Sequence, residues 1–206
     1  MYNFPFIRAA LLCILLSIIV STTLSVVNES KQDQLLDELC TAVRSDILDN
    51  VKLILDANPS LLNLRCSGGQ TPIMAATLAG SAKVAKRLLE IGADTSIGED
   101  MGYTPFHGAG FQGRAEIGQM LLDHGLSPID MHSDGYTPLH RAAWGSEKRH
   151  TEFVKFLLEN GVDPNIPSRS GQTAFQMTNN RNTKNVLLKY IEANKNDDHP
   201  KQHQEL

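Results

Sequence analysis

Two histidines, His107 and His140, hold the same place in the matching segments TPFHGAG and TPLHRAA, which lie 33 residues apart. Histidine gains or loses its proton close to neutral pH and is the commonest metal ligand, so such a pair could serve acid-base or metal chemistry. Neither histidine stands in an HExxH or CxxC motif, which would bring further zinc ligands. A histidine spaced by a repeat period has a reason to be there without a metal, so we interpret both as structural.

No other pattern in the chain marks a catalytic site. The sequence contains no GxSxG elbow, no P-loop and no GxGxxG that opens a helix after a strand, and its cysteines stand in no active-site signature. The paired acids Glu99-Asp100 and Asp197-Asp198 lie in predicted turns or in the tail, where a solvated role is expected. The net charge is −4, and the basic residues are dispersed among 23 acids, so the positive field that attracts nucleic acid is missing. We therefore expect neither an enzyme nor a nucleic-acid-binding protein, and we expect no cofactor and no metal site.

A fixed period organises the chain from about residue 35 to residue 193. A threonine before a predicted helix recurs at Thr71, Thr104, Thr137 and Thr173, with spacings of 33, 33 and 36 residues. A paired apolar step follows each time, and then a turn such as IGADTS or NGVDPN. A fixed period in this range indicates a solenoid rather than a globule with a single core.

One unit of the period predicts two helices. In GYTPLHRAAW, Thr137 can accept a backbone N–H at a helix start, and Pro138 fits the first helical position, where its missing donor costs nothing. The segment TEFVKFLLEN carries apolar residues at helical spacing and predicts a second, amphipathic helix. Gly161 then ends that helix as a left-handed cap residue would.

The recurring segments resemble those of a known family. TPIMAAT, TPFHGAG and TPLHRAAW, with LLEIGADTS and LLENGVDPN, closely resemble ankyrin repeats. The resemblance implies an all-α ankyrin-repeat solenoid of about five helix-turn-helix repeats with short hairpin loops. It also implies that the recurring histidine ties the start of one helix to the adjacent repeat. The predicted units are a degenerate amino-terminal capping repeat at 35–66, with Cys40 at the histidine place, repeats at 67–98, 99–131 and 132–167, and a carboxy-terminal capping repeat at 168–193.

The spacing of 36 residues has a local cause in the fourth unit. The segment SEKRHTEF is three residues longer than the matching stretch of the unit before it, and its extra length is charged or polar. We expect this insertion to bulge into solvent between the two helices without disturbing the stack.

Both termini suggest the secretory pathway. Arg8 precedes an apolar segment at 9–20 and small polar residues, which predicts a signal peptide at 1–25 followed by a linker at 26–34. The alternative is an uncleaved signal anchor that reaches about residue 27. The last four residues, HQEL, resemble an HDEL or KDEL retrieval signal with Gln204 in place of aspartate, at the end of a predicted disordered tail at 194–206. We expect the lumen of the endoplasmic reticulum or secretion, and alternatively a single-pass membrane protein with a luminal ankyrin domain.

The lumen can oxidise cysteines, which makes their state informative. Cys13 lies in the predicted signal peptide, so Cys40 and Cys66 remain, and they allow either one bridge or two free thiols. The sequence does not show that their Cα atoms approach within the roughly 7 Å that a bridge needs, and we expect free, partly buried thiols. One glycosylation acceptor, Asn28-Glu29-Ser30, follows the predicted signal peptide.

The ankyrin resemblance also implies where a partner binds. Ankyrin repeats form a curved stack whose concave face is lined by hairpin tips and by the exposed residues of each first helix. Interface hot spots are enriched in Trp, Tyr and Arg, and aromatic residues concentrate on this face. We therefore expect a monomeric, noncatalytic module that binds an unknown protein partner there. The alternative is that the rings fill the seams between repeats, and Phe111 is the best candidate for that role. The predicted contact residues are Asp100, Met101, Tyr103, Phe111, Gln112, Ser133, Asp134, Tyr136, Trp144 and Arg169, with Leu78 on the flanking unit.

Overall fold

Pairs of helices joined by tight turns make up the part of the chain that the structure describes, which is residues 20–22 and 29–197, with side chains to residue 194. The structure is a computed structural model. Residues 29–44 form the first described long helix, which we call α1. The elements that follow are α2 (Leu48–Ala57), a short 3-10 helix (Pro59–Asn63), α3 (Pro72–Ala79), α4 (Ala82–Glu90), α5 (Pro105–Gln112), α6 (Ala115–Asp123), α7 (Pro138–Ala143), α8 (Lys148–Glu159), α9 (Ala174–Met177) and α10 (Arg181–Asp197).

The helix pairs stack in two rows. The first helices α3, α5, α7 and α9 pack one on the next, and the second helices α4, α6, α8 and α10 do the same. Buried alanines and glycines lie where one first helix packs on the next. Larger side chains such as Phe106, Phe153 and Leu157 fill the space between the two rows. The rings of Phe106 and Phe153 meet edge to face, with centroids 6.2 Å apart. The predicted all-α repeat solenoid is confirmed.

Threonine and proline start the first helices as the sequence predicts. Thr71 is the residue before α3, and its hydroxyl accepts a hydrogen bond from the backbone N–H of Met74 at 3.4 Å. Proline occupies the first position of α3, α5 and α7. Helix α5 ends at Gly113, which has a φ of 65° and lies against the backbone of the insertion: a Cβ there would come within 2.8 Å of the Arg149 carbonyl carbon. Only glycine fits this position, because both the backbone angle and the lack of space exclude a side chain.

A short hairpin precedes each of the first helices α3, α5, α7 and α9. The same backbone hydrogen bond closes all four, as from the N–H of Glu99 to the carbonyl of Tyr103 at 3.0 Å. A glycine with positive φ turns each hairpin, for example Gly135 with a φ of 92°. The repeated turn sets the first residues after it, Tyr103 and Tyr136, at matching places along the stack. The closing pairs are Cys66 with Gln70, Glu99 with Tyr103, His132 with Tyr136, and Ser168 with Gln172.

The prediction that the insertion in the fourth repeat bulges into solvent is wrong in one respect. His150, in the first turns of α8, is 94% buried, and its Nε2 donates to the backbone carbonyl of Phe111 at 3.1 Å. The amide of Asn180 donates to the carbonyl of Ser146 at 3.1 Å from the other side. The longer segment therefore packs on both neighbouring repeats, although Ser146, Glu147 and Lys148 are exposed as expected. The three extra residues give the segment the length to fold back over the turn between α5 and α6.

The expectation of free thiols is also wrong. Cys40 in α1 and Cys66 at the start of the first hairpin form a disulfide, with their Cα atoms 6.0 Å apart. Both residues are buried. The bridge joins residues that are 26 positions apart, and their approach depends on how the first repeat packs on the second. The sequence alone does not specify that distance.

Two predicted segment boundaries need correction. Helix α1 includes residues 29–34, which were expected to be linker, and α10 includes residues 194–197, which were expected to be disordered tail. Four of the six residues at 29–34 are Glu, Gln or Lys, which favour exposed helix. The predicted signal segment before residue 20, the acceptor Asn28 and the HQEL terminus lie outside the described residues. Within the described ranges no helix combines the length and the apolarity that crossing a membrane requires.

Candidate protein-binding face

The surface of interest consists of the hairpins at 66–70, 99–103, 132–136 and 168–172 and of the exposed side of the first helices. We call it the inner face. All ten predicted contact residues lie on these hairpins or on the helices that follow them, between Asp100 and Arg169. Their surroundings differ, however, and the structure divides them into a connected cluster and a set of separate contacts.

His107 and His140 fix the position of the hairpins. In His107, Nδ1 lies 2.8 Å from the hydroxyl of Thr104 and Nε2 lies 3.0 Å from the carbonyl oxygen of Asp130, in the loop that leads into the next repeat. In His140 the matching distances are 2.8 Å to Thr137 and 3.2 Å to the carbonyl of Gln172. A carbonyl only accepts, so Nε2 carries the proton and Nδ1 is the acceptor. The predicted tie between one helix start and the adjacent repeat is confirmed.

These two histidines are held in the neutral form. Burial lowers the pKa of His107 and of His140 below the usual value for histidine, since desolvation penalises the imidazolium. The hydrogen bonds from Nε2 to the carbonyls of Asp130 and Gln172 oppose this effect only in part. A second proton would also place an N–H donor where Nδ1 of His140 now accepts from the backbone N–H of Thr137.

This arrangement predicts acid destabilisation. Because the pKa of both histidines is lower in the folded state than in the unfolded state, the unfolded chain binds more protons, and the stability present above about pH 6.5 is lost as the pH falls toward the folded-state values. We expect the free energy of unfolding, measured in urea, to decrease from pH 7.5 to pH 5.5. The decrease should be smaller in the double variant His107→Gln/His140→Gln and unchanged in the control variant His124→Gln, whose histidine is exposed. An equal pH dependence in all three proteins would contradict this assignment.

Arg141 organises the centre of the inner face. Its side chain is 91% buried and its Nη2 donates to the hydroxyl of Tyr103 at 2.7 Å and to the carboxylate of Asp134. The hydroxyl of Tyr103 in turn donates to the same carboxylate at 2.6 Å. Burial lowers the pKa of Arg141, and the hydroxyl of Tyr103 opposes the shift, but the guanidinium stays protonated at neutral pH. This network connects the second hairpin, the third hairpin and α7.

Aromatic rings surround the same guanidinium. Its central carbon lies 4.8 Å from the ring centroid of Tyr103, 5.1 Å from that of Tyr136 and 4.7 Å from that of Trp144. The rings of Tyr136 and Trp144 meet edge to face at 4.7 Å. On the far side, Tyr103 lies against His132 with ring centroids 3.8 Å apart. Cation–π contacts of this kind hold the rings in place, and we call Tyr103, Asp134, Tyr136, Arg141 and Trp144 the Arg141 cluster.

The cluster keeps apolar surface in contact with solvent. Trp144 is 44% exposed and Phe111, at the end of α5, is 54% exposed. The interpretation of Phe111 as seam filling is therefore wrong, whereas Tyr103 and Tyr136 are half-buried and do pack between repeats. Fixed, partly exposed aromatic rings are typical anchors of protein interfaces because they bury a large area while losing little rotamer freedom.

The remaining predicted contact residues do not join the cluster. Asp100 forms an exposed ion pair with Arg65 at 3.2 Å, and Arg169 donates to the carbonyl of Ser133. Met101 is 70% exposed at a hairpin tip. These contacts connect successive hairpins along the stack, and exposed ion pairs of this kind contribute at most about 1 kcal/mol. Gln112 lies half-buried beside Phe111.

Arg141 and His132 are the two residues that sequence reasoning missed. Arg141 stands between His140 and two alanines in a helix otherwise made of small and apolar residues, which was a usable signal, since an arginine there must find a partner for its charge. His132 gave no such signal, because it lies in an exposed turn pattern. Its Nε2 donates to the carbonyl of Met101 at 2.9 Å, which ties the second and third hairpins together.

A pocket of about 290 Å³ opens on the inner face beside the Arg141 cluster. Apolar side chains of α3 and α5 form most of its wall, and Arg141 and Glu99 lie at its edges. Among the described residues no group of three or more His, Cys, Asp or Glu side chains is arranged to hold a metal ion. The lining residues that matter below are Met74, Leu78, Glu99, Gly108, Phe111 and Arg141.

The comparison with protein families agrees with the geometry. A model of ankyrin repeats in three copies matches residues 39–129 and 91–168, which together span more than half of the 206 residues. The chain belongs to the ankyrin-repeat family. A comparison with curated proteins found no match. Ankyrin repeats are in general noncatalytic modules for binding other proteins, so a protein partner is the class of ligand that this fold serves.

Proposed function

We propose that this chain is a noncatalytic interaction module of the secretory pathway and that it binds one protein partner through the inner face. The observation that carries the proposal is the Arg141 cluster, in which Tyr136 and Trp144 are fixed at the surface by a buried guanidinium. Rigid aromatic rings beside an apolar pocket are what a hot spot at the centre of an interface requires. Binding acts here by steric capture, without turnover.

The candidate chemical residues of the sequence have structural or solvent-exposed surroundings. His107 and His140 use both ring nitrogens in hydrogen bonds within the stack, so neither is free to act as a base or a ligand. Glu99 and Asp100, the carboxylates of the second hairpin, face no nucleophile and no imidazole of the described residues within hydrogen-bonding distance. These observations support an interaction role for the inner face.

The Cys40–Cys66 bridge supports a secretory location. Disulfides persist in oxidising compartments and are rare where glutathione and thioredoxin keep thiols reduced. The apolar segment after Arg8 would bring the chain into the lumen, and the HQEL terminus would retain it in the endoplasmic reticulum. Imaging of an internally tagged chain with and without Leu206 tests this location, since loss of retention on removing Leu206 is expected.

A signal-anchored membrane protein is the second candidate. The observation that favours it is that moderately apolar sequence continues to Val27, close to the roughly 20 residues that a spanning helix needs. The inner face would then be displayed to the lumen from the membrane. Resistance to carbonate extraction, with Arg8 still present in the mature chain, would identify the anchored form.

The double variant Tyr136→Ala/Trp144→Ala tests the binding face. Loss of a central aromatic anchor costs about 2 kcal/mol of binding or more, which corresponds to about 30-fold weaker binding. Luminal partners should be identified by crosslinking to the full-length protein in cells, and their recovery should be compared for the wild type and the variant. We expect most of the recovery to be lost.

The matched control is Leu53→Ala, which removes an apolar side chain that is 73% exposed on α2, away from the inner face. It should leave recovery unchanged. If the double variant kept the helical content and the full partner recovery of the wild type, the inner face would not be the binding surface.

A further inference from the structure

The pocket on the inner face lies where α3 lacks a side-chain contact that three other first helices make with the loop that follows them. Three first helices are tied from the same repeat position to the following hairpin or to the loop just before it: α1 by the Cys40–Cys66 bridge, α5 by His107 and α7 by His140. In α3 this position is Met74, whose thioether makes no such tie in the described chain. The gap between α3 and the hairpin at 99–103 stays open, and Met74 and Glu99 line it.

Glycine in α5 lets the α3 wall of the pocket pack closely on α5. A Cβ at Gly108 would lie 3.1 Å from the sulfur of Met74 and 3.3 Å from a methyl carbon of Leu78, so a side chain there would displace both wall residues. The wall is completed by Phe111, which is exposed over more than half of its surface. The pocket therefore presents apolar surface that no residue of the described chain covers.

The size of the pocket indicates what can enter. Its volume of about 290 Å³ corresponds to roughly ten water molecules, enough for one large side chain and less than most pockets for drug-sized ligands. Water in an apolar pocket is readily displaced by an apolar group. Burial of one Leu, Met or Phe side chain would strengthen binding about 10- to 150-fold.

The charged residues beside the pocket indicate which partner residue would lie next to that apolar side chain. Asp100 is neutralised by Arg65, and Asp134 by Arg141. The half-buried carboxylate of Glu99 has no ionic partner among the described residues, and it lies at the pocket edge. Since the positive charge of Arg141 is already paired, the pocket has one uncompensated negative charge, which a lysine or arginine of the partner would complement.

We propose that the pocket binds an extended segment of the partner protein in which a large apolar side chain enters between α3 and α5 and a neighbouring lysine or arginine pairs with Glu99. This inference rests on the proposed function and names the partner chemistry of the same face. The Tyr136–Trp144 pair then contacts the partner beyond the pocket, so the two regions contribute separately.

Peptide selection on the full-length, oxidised protein tests the proposal. A displayed library of random 12-residue peptides should yield sequences with a large apolar residue within about three positions of a lysine or arginine. The dissociation constant of a synthetic consensus peptide should rise about fivefold to tenfold in Glu99→Lys, as reversal of one partly exposed ion pair predicts. A peptide whose basic residue is changed to glutamate should regain that loss in Glu99→Lys, which a folding defect would not produce. Leu78→Phe, which fills the pocket, should weaken the consensus peptide at least 10-fold.

Two matched controls accompany these variants. Glu116→Lys makes the same charge reversal at an exposed site on α6, and Leu53→Phe makes the same enlargement on α2; both should bind the peptide as the wild type does. An empty selection, a consensus with an acidic residue beside the apolar one, or self-association of the protein through this face would overturn the proposal. A dissociation constant of the consensus peptide that is unchanged in Glu99→Lys and in Leu78→Phe would also overturn it. If those two variants leave partner recovery in cells unchanged while Tyr136→Ala/Trp144→Ala abolishes it, the pocket assignment fails and the proposed function stands.

Discussion

Replacing Arg141 with methionine is expected to lower the free energy of unfolding by about 2–3 kcal/mol and to abolish partner binding. Methionine keeps much of the apolar length but leaves the Asp134 carboxylate and the Tyr103 hydroxyl without their shared donor. Loss of one partner from a buried ion pair costs about 3–5 kcal/mol, and this pair is discounted because the side chain of Asp134 is 31% exposed. The cation–π contacts with three rings add to the loss. Urea denaturation at pH 7 measures the effect.

Two further variants separate the charge from the geometry. Arg141→Lys keeps the positive charge, but its ammonium cannot reach the carboxylate and stack against three rings at once, so we expect most of the destabilisation to remain. Arg169→Met removes an exposed arginine from the same face and should change the stability by less than about 0.5 kcal/mol. If Arg141→Met were no more damaging than Arg169→Met, the cluster would not be a stabilising element.

Loss of the Cys40–Cys66 bridge should be of similar size. The bridge closes a loop with a separation of 26 residues, and the chain-entropy model then gives about 3.5 kcal/mol of stabilisation. We expect the double variant Cys40→Ala/Cys66→Ala to unfold at correspondingly lower urea concentration than the oxidised wild type. Alanine is preferred to serine because both positions are buried and a hydroxyl there would need a partner.

The effect should be local as well as global. A repeat stack is stabilised by contacts between neighbours, and its terminal repeats shield the core, so loss of the bridge should release the first repeat before the others. Hydrogen exchange should therefore quicken in α1 and α2 while α7 and α8 keep their protection. Treatment with a reducing agent should bring the wild type to the level of the variant and should leave the variant unchanged. Equal stability of the oxidised wild type and the variant would contradict this role.

The bridge and the two histidines are three solutions to one structural problem. Each links a first helix to the hairpin that follows or to the loop just before it, through a covalent bond at Cys40 and through hydrogen bonds at His107 and His140. The covalent link stands in the first repeat, which has a neighbouring repeat on one side only in the described stack. Reduction therefore affects the end of the stack, whereas acid affects its centre, and the two treatments should destabilise different repeats.

The sequence predicted which aromatic residues lie on the inner face but not how their side chains contact one another. Resemblance to ankyrin repeats placed Tyr103, Tyr136 and Trp144 on one surface, because their positions in the repeat period are fixed. It gave no reason for them to meet around a common residue. Arg141 joins them through atoms of residues 31–38 positions apart, and that contact depends on the rotation and spacing of successive repeats.

The amino-acid sequence by itself determined the repeat architecture of this protein. Its signals are local: threonine and proline start a helix, glycine ends one, and apolar residues at helical spacing supply the face that packs on the next repeat. The period indicated that His107 and His140 are structural, and the resemblance to ankyrin repeats implied which parts they tie together. Because each repeat needs only its neighbours to bury its core, such local signals suffice for the fold.

Only the tertiary structure decided which distant side chains meet. The pairing of Cys40 with Cys66, the burial of His150 against Phe111, the hydrogen bond of Arg141 to Tyr103 and the open pocket beside Met74 all depend on distances between different repeats. Those distances result from the packing of all side chains between the helices, and changes of an ångström make or remove a disulfide, a hydrogen bond or a pocket. A periodic pattern specifies which repeats are neighbours, whereas the packing between them determines which disulfide, hydrogen bonds and pocket they form.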